Sequence, residues 1–217
     1  MPRAVSTALL ALLFHAGPAD CTPLEAMNRA QARQALSGVD APERREAARR
    51  LGEVGIMADA AALQSALRDA DAATREAAEQ AMWRIWARSG DREVDRLYQG
   101  GVAQMQEGDL QKGIATFTRI IRLKPEFAEG WNKRATLYFL AGEYQKSLAD
   151  CREVIKRNPN HFGALAGYGQ IYVRLEDYER AKEYFRRALQ VNPNMDGVKR
   201  NLLLLDQLIE QQRRRMI

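Results

Sequence analysis

The 217-residue chain has two cysteines and two histidines, and these shortages exclude whole classes of chemistry. Two cysteines, Cys21 and Cys151, cannot build a disulfide framework. No second His or Cys stands at metal-ligand spacing from His161, so no metal or other cofactor is expected. Long apolar runs are scarce as well. Ala4 to Phe14 is a mostly apolar run too short to cross a bilayer, and no second candidate span appears. With 46% apolar and 28% charged residues, the composition is that of a folded helical protein and excludes a disordered chain.

The N-terminus reads as an address. Met1-Pro2-Arg3 gives a positive start, the apolar run follows, and Gly17-Pro18-Ala19 supplies small residues at its end. That is the layout of a secretory signal peptide spanning 1–19, with cleavage after Ala19 and an exported, periplasmic product. The alternative is a cytoplasmic protein whose N-terminus stays uncleaved. Pro18-Ala19-Asp20 before Cys21 does not match the Leu-small-small pattern of a lipid-anchored cysteine.

Charge is unevenly placed. Residues 1–93 hold 12 Lys and Arg against 13 Asp and Glu, whereas residues 94–217 hold 21 against 15. The excess is interspersed along helical faces, the ordinary pattern of a solvated helix.

What the chain has in abundance is internal repetition. Pro125, Pro159 and Pro193 stand 34 residues apart. In the same phase recur Gly101/Ala135/Gly169, Leu97/Trp131/Leu165, Gly113/Ser147/Ala181, Phe117/Cys151/Phe185 and Ile120/Val154/Ala188. Period and columns together resemble the tetratricopeptide repeat (TPR) family, whose unit is a pair of antiparallel helices that buries its apolar faces only by stacking on neighbours. The resemblance implies an all-α fold, a right-handed superhelical solenoid of helix hairpins, with units at 94–127, 128–161 and 162–195 inside a block of 91–195. It also implies that the small columns mark close helix crossings and that Trp131 is a large core residue. The first unit departs from its sisters in carrying Gly100 beside Gly101, and Gln104 where they have Tyr138 and Tyr172.

Residues 22–90 read as helices of another kind. Thr22-Pro23-Leu24-Glu25 opens a helix running to Leu36, Asp40-Ala41-Pro42-Glu43 opens one through Leu51, a third covers Asp59 to Arg68, and Asp71 caps a fourth to Ala87. Arg45-Glu46-Ala47-Ala48 returns identically as Arg75-Glu76-Ala77-Ala78, and the pair resembles short HEAT-like helical repeats. Such a pair leaves an apolar flank that must stack on the TPR block, and Trp83 and Trp86 are placed to plug the junction. Residues 196–217 form a capping helix and basic tail, with Leu202 to Leu205, Leu208 and Ile209 facing the last repeat and Arg213-Arg214-Arg215 at a helix end that favours cations.

Catalysis finds no support. Ser147 and Cys151 occupy packing columns without a base, His161 stands alone in a turn expected to face solvent, and Gly163, Gly167 and Gly169 fall within a helix instead of a phosphate loop. Binding is better supported, in the concave groove that the resemblance implies. Its floor carries Tyr98, Val102 and Met105, then Asn132, Thr136 and Phe139, then Ala166, Gln170 and Val173, three rows at helical spacing. Apolar side chains there point to a protein or peptide partner, an extended segment or a helix, unless the chain's own C-terminal helix closes part of the groove. Of the cationic positions that TPR proteins use to clamp acidic chaperone tails, only Lys133 is basic, so that ligand is disfavoured. The partly apolar groove also argues against nucleic acid. The expected function is therefore a non-catalytic interaction scaffold or assembly factor, with a cytoplasmic TPR adaptor or an accessory subunit of an enzyme complex as alternatives. Cleavage after Ala19 predicts a mature N-terminus at or near Asp20, to be checked by N-terminal sequencing of protein from its native cell; an intact Met1 or Pro2 would establish the cytoplasmic alternative.

Overall fold

A computed structural model describes residues 27–215. The signal-peptide segment 1–19, Cys21 and the cap expected at Thr22 to Glu25 lie outside the described residues. Eleven α-helices and a 3-10 turn follow one another without a strand among the described residues. Four come before the repeats: α1 (Arg29–Ala35), α2 (Ala41–Val54), α3 (Ala60–Ala66) and α4 (Ala72–Trp86). The remainder are α5 (Arg92–Gln106), α6 (Leu110–Leu123), α7 (Ala128–Leu140), α8 (Tyr144–Arg157), α9 (Phe162–Arg174), α10 (Tyr178–Val191) and α11 (Asp196–Arg215).

Side-chain caps decide where these helices start. Asp40, Asp71, Asp91, Asp109 and Asp177 each accept a hydrogen bond from a backbone N–H in the first turn of the helix that follows. Helix α1 (Arg29–Ala35) is capped by Asn28 and Gln31, which form a reciprocal pair. The start expected at Asp59 moves. Asp59 does not cap α3. Its buried carboxylate turns back to the Ile56 N–H at 2.8 Å and takes Arg29 at 2.7 and 3.1 Å, leaving a 3-10 turn at Met57–Asp59 and a shorter helix.

Helices α5 and α6, α7 and α8, and α9 and α10 pack as consecutive hairpins. A Cβ built on Gly101 would lie 2.7 Å from the Phe117 ring, and one on Gly169 2.4 Å from Phe185. The middle hairpin has Ala135 at that crossing, and it tolerates the extra methyl because the facing residue is Cys151, smaller than the two phenylalanines. The small and large columns thus compensate each other. Trp131 is a correction: it is only half-buried, with its indole N–H donating to the Pro125 carbonyl at 2.9 Å and its ring between the guanidinium groups of Arg134 and Arg157. Among its described side chains the capping helix α11 likewise buries Val198 and Leu205 alone, while Leu203, Leu204 and Leu208 are exposed. A 20-residue helix lying on one hairpin covers one stripe, and those three leucines fall outside it.

In the N-terminal block, α2 packs along α4. Arg44 donates to the carbonyls of Gly38 and Val39, and Arg75 to those of Asp69 and Ala70, each reaching back to the loop before its own helix. The structural equivalence therefore pairs Asp40 with Asp71, Arg44 with Arg75, and the fully buried Ala47 and Leu51 with Ala78 and Met82. The identical Arg-Glu-Ala-Ala strings are displaced from this register by one residue. The block does need a neighbour to cover it, but it covers itself with the third hairpin. Leu63, Leu67, Met82, Ile85 and Trp86 share a core with Phe162, Leu165, Ala188 and Val191. Arg68 donates to the Gln190 carbonyl, Arg75 to Asn194 at 3.0 Å, Asn192 to Glu79 at 3.0 Å, and Asn194 to the Leu67 carbonyl at 2.7 Å.

The glycine environments separate helical propensity from packing. A Cβ at Gly100 meets nothing within 4 Å, so Gly100→Ala is expected to stabilise the fold by about 1 kcal/mol. Its neighbour behaves oppositely: Gly101→Ala and Gly169→Leu push on phenylalanine rings and are expected to cost about 1 to 3 kcal/mol. Thermal or denaturant melts of the three variants read both signs, and equal melts for Gly169→Leu and the parent would contradict this crossing.

Candidate functional site

The groove floor is built from α5, α7 and α9, and the structure divides it into three unlike parts. On α5, Tyr98 is a correction. It is 5% exposed and edge-on to Phe117 and Phe127, with its hydroxyl donating toward Glu129 at 3.4 Å. Val102 and Met105 are half-buried against the same cluster. Tyr98 is drawn inward because its ring completes the core between α5 and the α6–α7 turn, so it is not a groove anchor. On α9, Ala166 and Val173 pack against the cluster of Ala181, Phe185, Val198 and Leu205, where α11 seals that end.

The middle part remains open. Asn132, Thr136 and Phe139 of α7 and Gln170 of α9 line a cavity of about 200 Å³, backed by Ala135 and Cys151. Phe139 is half-buried and tilted against Tyr144 at 5.7 Å, with the Arg174 guanidinium 5.9 Å above its ring. Thr136 is exposed and donates to the Asn132 carbonyl at 3.0 Å. Gln170 brings an amide to the rim. The four residues from two helices form one concave site because Gly167 contributes no side chain, and a Cβ there would only just touch the Cys151 sulfur at 3.8 Å.

Beside this cavity lies a buried polar cluster that sequence reasoning missed. Glu129 is 1% exposed. Its carboxylate receives the Asn132 amide at 3.1 and 3.2 Å and the His161 ring nitrogen Nε2 at 2.5 Å, with the Lys133 ammonium at 3.6 Å. His161, expected in solvent, is fully buried. Its Nδ1 accepts the Ala164 N–H at 3.1 Å and so caps α9, which leaves Nε2 as the nitrogen that donates to Glu129. A signal for this burial existed: His161 shares a repeat column with Phe127 and Met195. Above the ring, Trp86 stacks at 4.3 Å and Trp83 lies edge-on at 5.5 Å. Trp83 fits only because position 163 is glycine; a Cβ there would come within 2.4 Å of the indole.

These arrangements settle what the residues can do. Both nitrogens of His161 are engaged, and Ser147 donates to the Ala135 carbonyl at 2.7 Å. Burial, with the neighbouring Asp150 charge adding to it, pushes the Cys151 thiol up to about 12. None of the three is poised as a nucleophile or base. Lys133 is held between Glu129 and the face of Trp83 at 5.9 Å, so its charge is already answered from within. Burial works against ionisation of Glu129, and the His161 hydrogen bond, Lys133 and Asn132 outweigh it, holding its carboxyl at about 2.

A carboxyl group whose folded-state value is depressed contributes stability that is present above its ordinary titration and is lost as pH falls toward the folded value. Glu129→Gln is therefore expected to cost about 1 to 3 kcal/mol at neutral pH, with the difference from the parent shrinking below the usual carboxylate range toward pH about 2. Urea melts over that range check it, and a pH-independent difference would refute it. Tyr98→Ala, removing a buried aromatic, is expected to destabilise by about 3 to 5 kcal/mol.

No curated protein matches the sequence. Residues 126–194 match the family model described as Tetratricopeptide repeat. Among solved structures, the Sgt2 TPR domain from Aspergillus fumigatus aligns with TM-score 0.55 at 25% identity, covering 57% of this chain and 83% of that one. The first TPR of Spaghetti (RPAP3), bound to the HSP90 peptide SRMEEVD, aligns with TM-score 0.53 at 21% identity, covering 54% and 93%. MamA from residue 41 onward of Desulfovibrio magneticus RS-1 aligns with TM-score 0.51 at 21% identity, covering 75% and 86%. Residues 126–194, which hold the hairpins α7–α8 and α9–α10, match the tetratricopeptide repeat model, and the chain folds as an all-α solenoid like these structures.

Proposed function

We propose that the chain is a non-catalytic interaction scaffold that takes a peptide segment of a partner protein across the open middle of its groove, with one apolar side chain inserted between α7 and α9. The observation that carries this reading is the cavity of about 200 Å³ lined by Phe139, Thr136, Asn132 and Gln170. Its mixed lining suits an apolar anchor flanked by a polar backbone, the former against Phe139, Ala135 and Cys151 and the latter within reach of Gln170. The structure of RPAP3 with an HSP90 peptide supports peptide binding as the mode. The acidic character of that peptide does not carry over, since Lys133 is engaged by Glu129 and Trp83. The site we propose is therefore narrower than the ten groove positions together, because Tyr98 is interior and Ala166 and Val173 lie under the α11 cluster. The layout of residues 1–19 supports placing this scaffold outside the cytoplasm, in the periplasm.

Peptides selected from a displayed random library on the immobilised protein test the reading. Selected sequences should share an apolar anchor, and Phe139→Ala should weaken their binding by about 1 to 3 kcal/mol in titration calorimetry while leaving the melting temperature nearly unchanged. Gly167→Leu, which fills the cavity, should abolish binding. Full affinity in both variants would place the binding surface elsewhere on the solenoid.

A further inference from the structure

A second cavity, of about 380 Å³, lies away from the groove. It opens between the end of α4 and the turns that precede α7 and α9, and Trp86, Arg88, Lys124, Arg157, Asn158 and His161 line it. Two of the residues that line it carry a buried N–H donor with no acceptor among the described residues: the indole Nε1 of Trp86 and the amide Nδ2 of Asn158. Native folds leave few such groups unanswered, because each has given up its water.

The side chains that line the cavity carry more cationic groups than acidic ones. Arg88 donates to the backbone carbonyls of Gly52 at 2.9 Å, Glu53 at 2.7 Å and Gly55 at 2.8 Å, and the Asp95 carboxylate acts on its charge without a hydrogen bond to it. Lys124 has Glu126 at 3.7 Å, the one acidic side chain in the lining and itself well exposed. Arg157 is paired with Glu153 at 2.5 Å and donates to the Pro125 carbonyl at 2.5 Å.

The repeat itself indicates what is missing. Asn158 and Asn192 occupy the same column, each before a repeat proline. At Asn192 the amide donates to the carboxylate of Glu79 at 3.0 Å. Glu79 lies on α4, and Trp86 lies two turns further along the same face of that helix. At the first position α4 offers an acceptor to the asparagine. At the second it offers another donor, and no acceptor stands there among the described residues.

We propose that this cavity binds a carboxylate that serves both donors, as Glu79 serves Asn192, with Arg88 and Lys124 compensating its charge. The carboxylate comes either from a free organic acid or from an acidic side chain of a bound polypeptide. The site is independent of the groove reading above and shares none of its lining residues.

The test follows the three tryptophan indole resonances of the nitrogen-15-labelled protein, with Trp86 assigned through Trp86→Phe. Sodium succinate, added at constant ionic strength, should move the Trp86 indole signal saturably downfield. Asn158→Ala and Lys124→Glu should each raise the half-saturating concentration at least tenfold, in protein whose melt shows it folded. No saturable shift, or the same titration in both variants, would overturn the proposal and leave the donors to ordered water only. Inorganic phosphate saturating at a tenfold lower concentration than succinate would overturn the carboxylate assignment. The acetylated amide peptide Gly-Glu-Glu distinguishes the sources: saturation well below succinate assigns the carboxylate to a polypeptide, and the reverse order to a free acid, either of which sustains the site.

Discussion

A carboxylate withdrawn from water must be given donors in fixed places, and Glu129 draws its donors from three parts of the chain. Tyr98 comes from α5, Asn132 and Lys133 from its own helix α7, and His161 from the turn before α9. One side chain thereby registers three successive hairpins, since sliding any of them would strip a hydrogen bond from a charge that no solvent can reach. The cluster also determines how α9 begins, because the ring nitrogen that faces away from Glu129 caps that helix.

The same cluster orients the N-terminal block. Trp86 lies flat on His161, Trp83 fits over Gly163, and the Lys133 ammonium sits against Trp83. The block therefore closes onto the third hairpin, beyond the one that follows it in sequence, and the aromatic pair fills the junction. Functional space is what these contacts leave over. One end of the groove is taken by Tyr98 as core, the other is sealed by α11, and the middle stays open because Gly167 carries no side chain across from Phe139. Lys133, the one cation at the acidic-ligand positions, is engaged within the fold by Glu129 and Trp83.

Much of this was legible from residues alone. The 34-residue columns identified the hairpins, and the small residues in them marked the crossings at Gly101, Ala135 and Gly169. Acidic caps gave the starts of α2 and α4, and the spacing of Trp83 and Trp86 placed them at the junction. Periodicity reports which residues share a helix face. It does not report what lies against that face. Tyr98 and Phe139 hold analogous groove positions, yet one is interior and the other borders a cavity, because Phe117 and Phe127 surround the first while α8 and α9 leave space beside the second. Trp131 was misplaced for a related reason: a large aromatic in a repeat column suggests core, whereas two arginines and a carbonyl hold it at the surface.

The sequence by itself determined the all-α class, the repeat length and the helix starts that depend on local caps, since these rest on interactions between residues close in the chain. Only the tertiary structure decided that α4 would fold onto the third hairpin, that Glu129 and His161 would be buried together, that the groove would hold a cavity at its middle, and that Asn158 would find among the described residues no acceptor like the Glu79 of its sister Asn192. Those outcomes depend on pairs separated by tens of residues, whose meeting is governed by which apolar surfaces cover each other and by where a buried charge finds its donors.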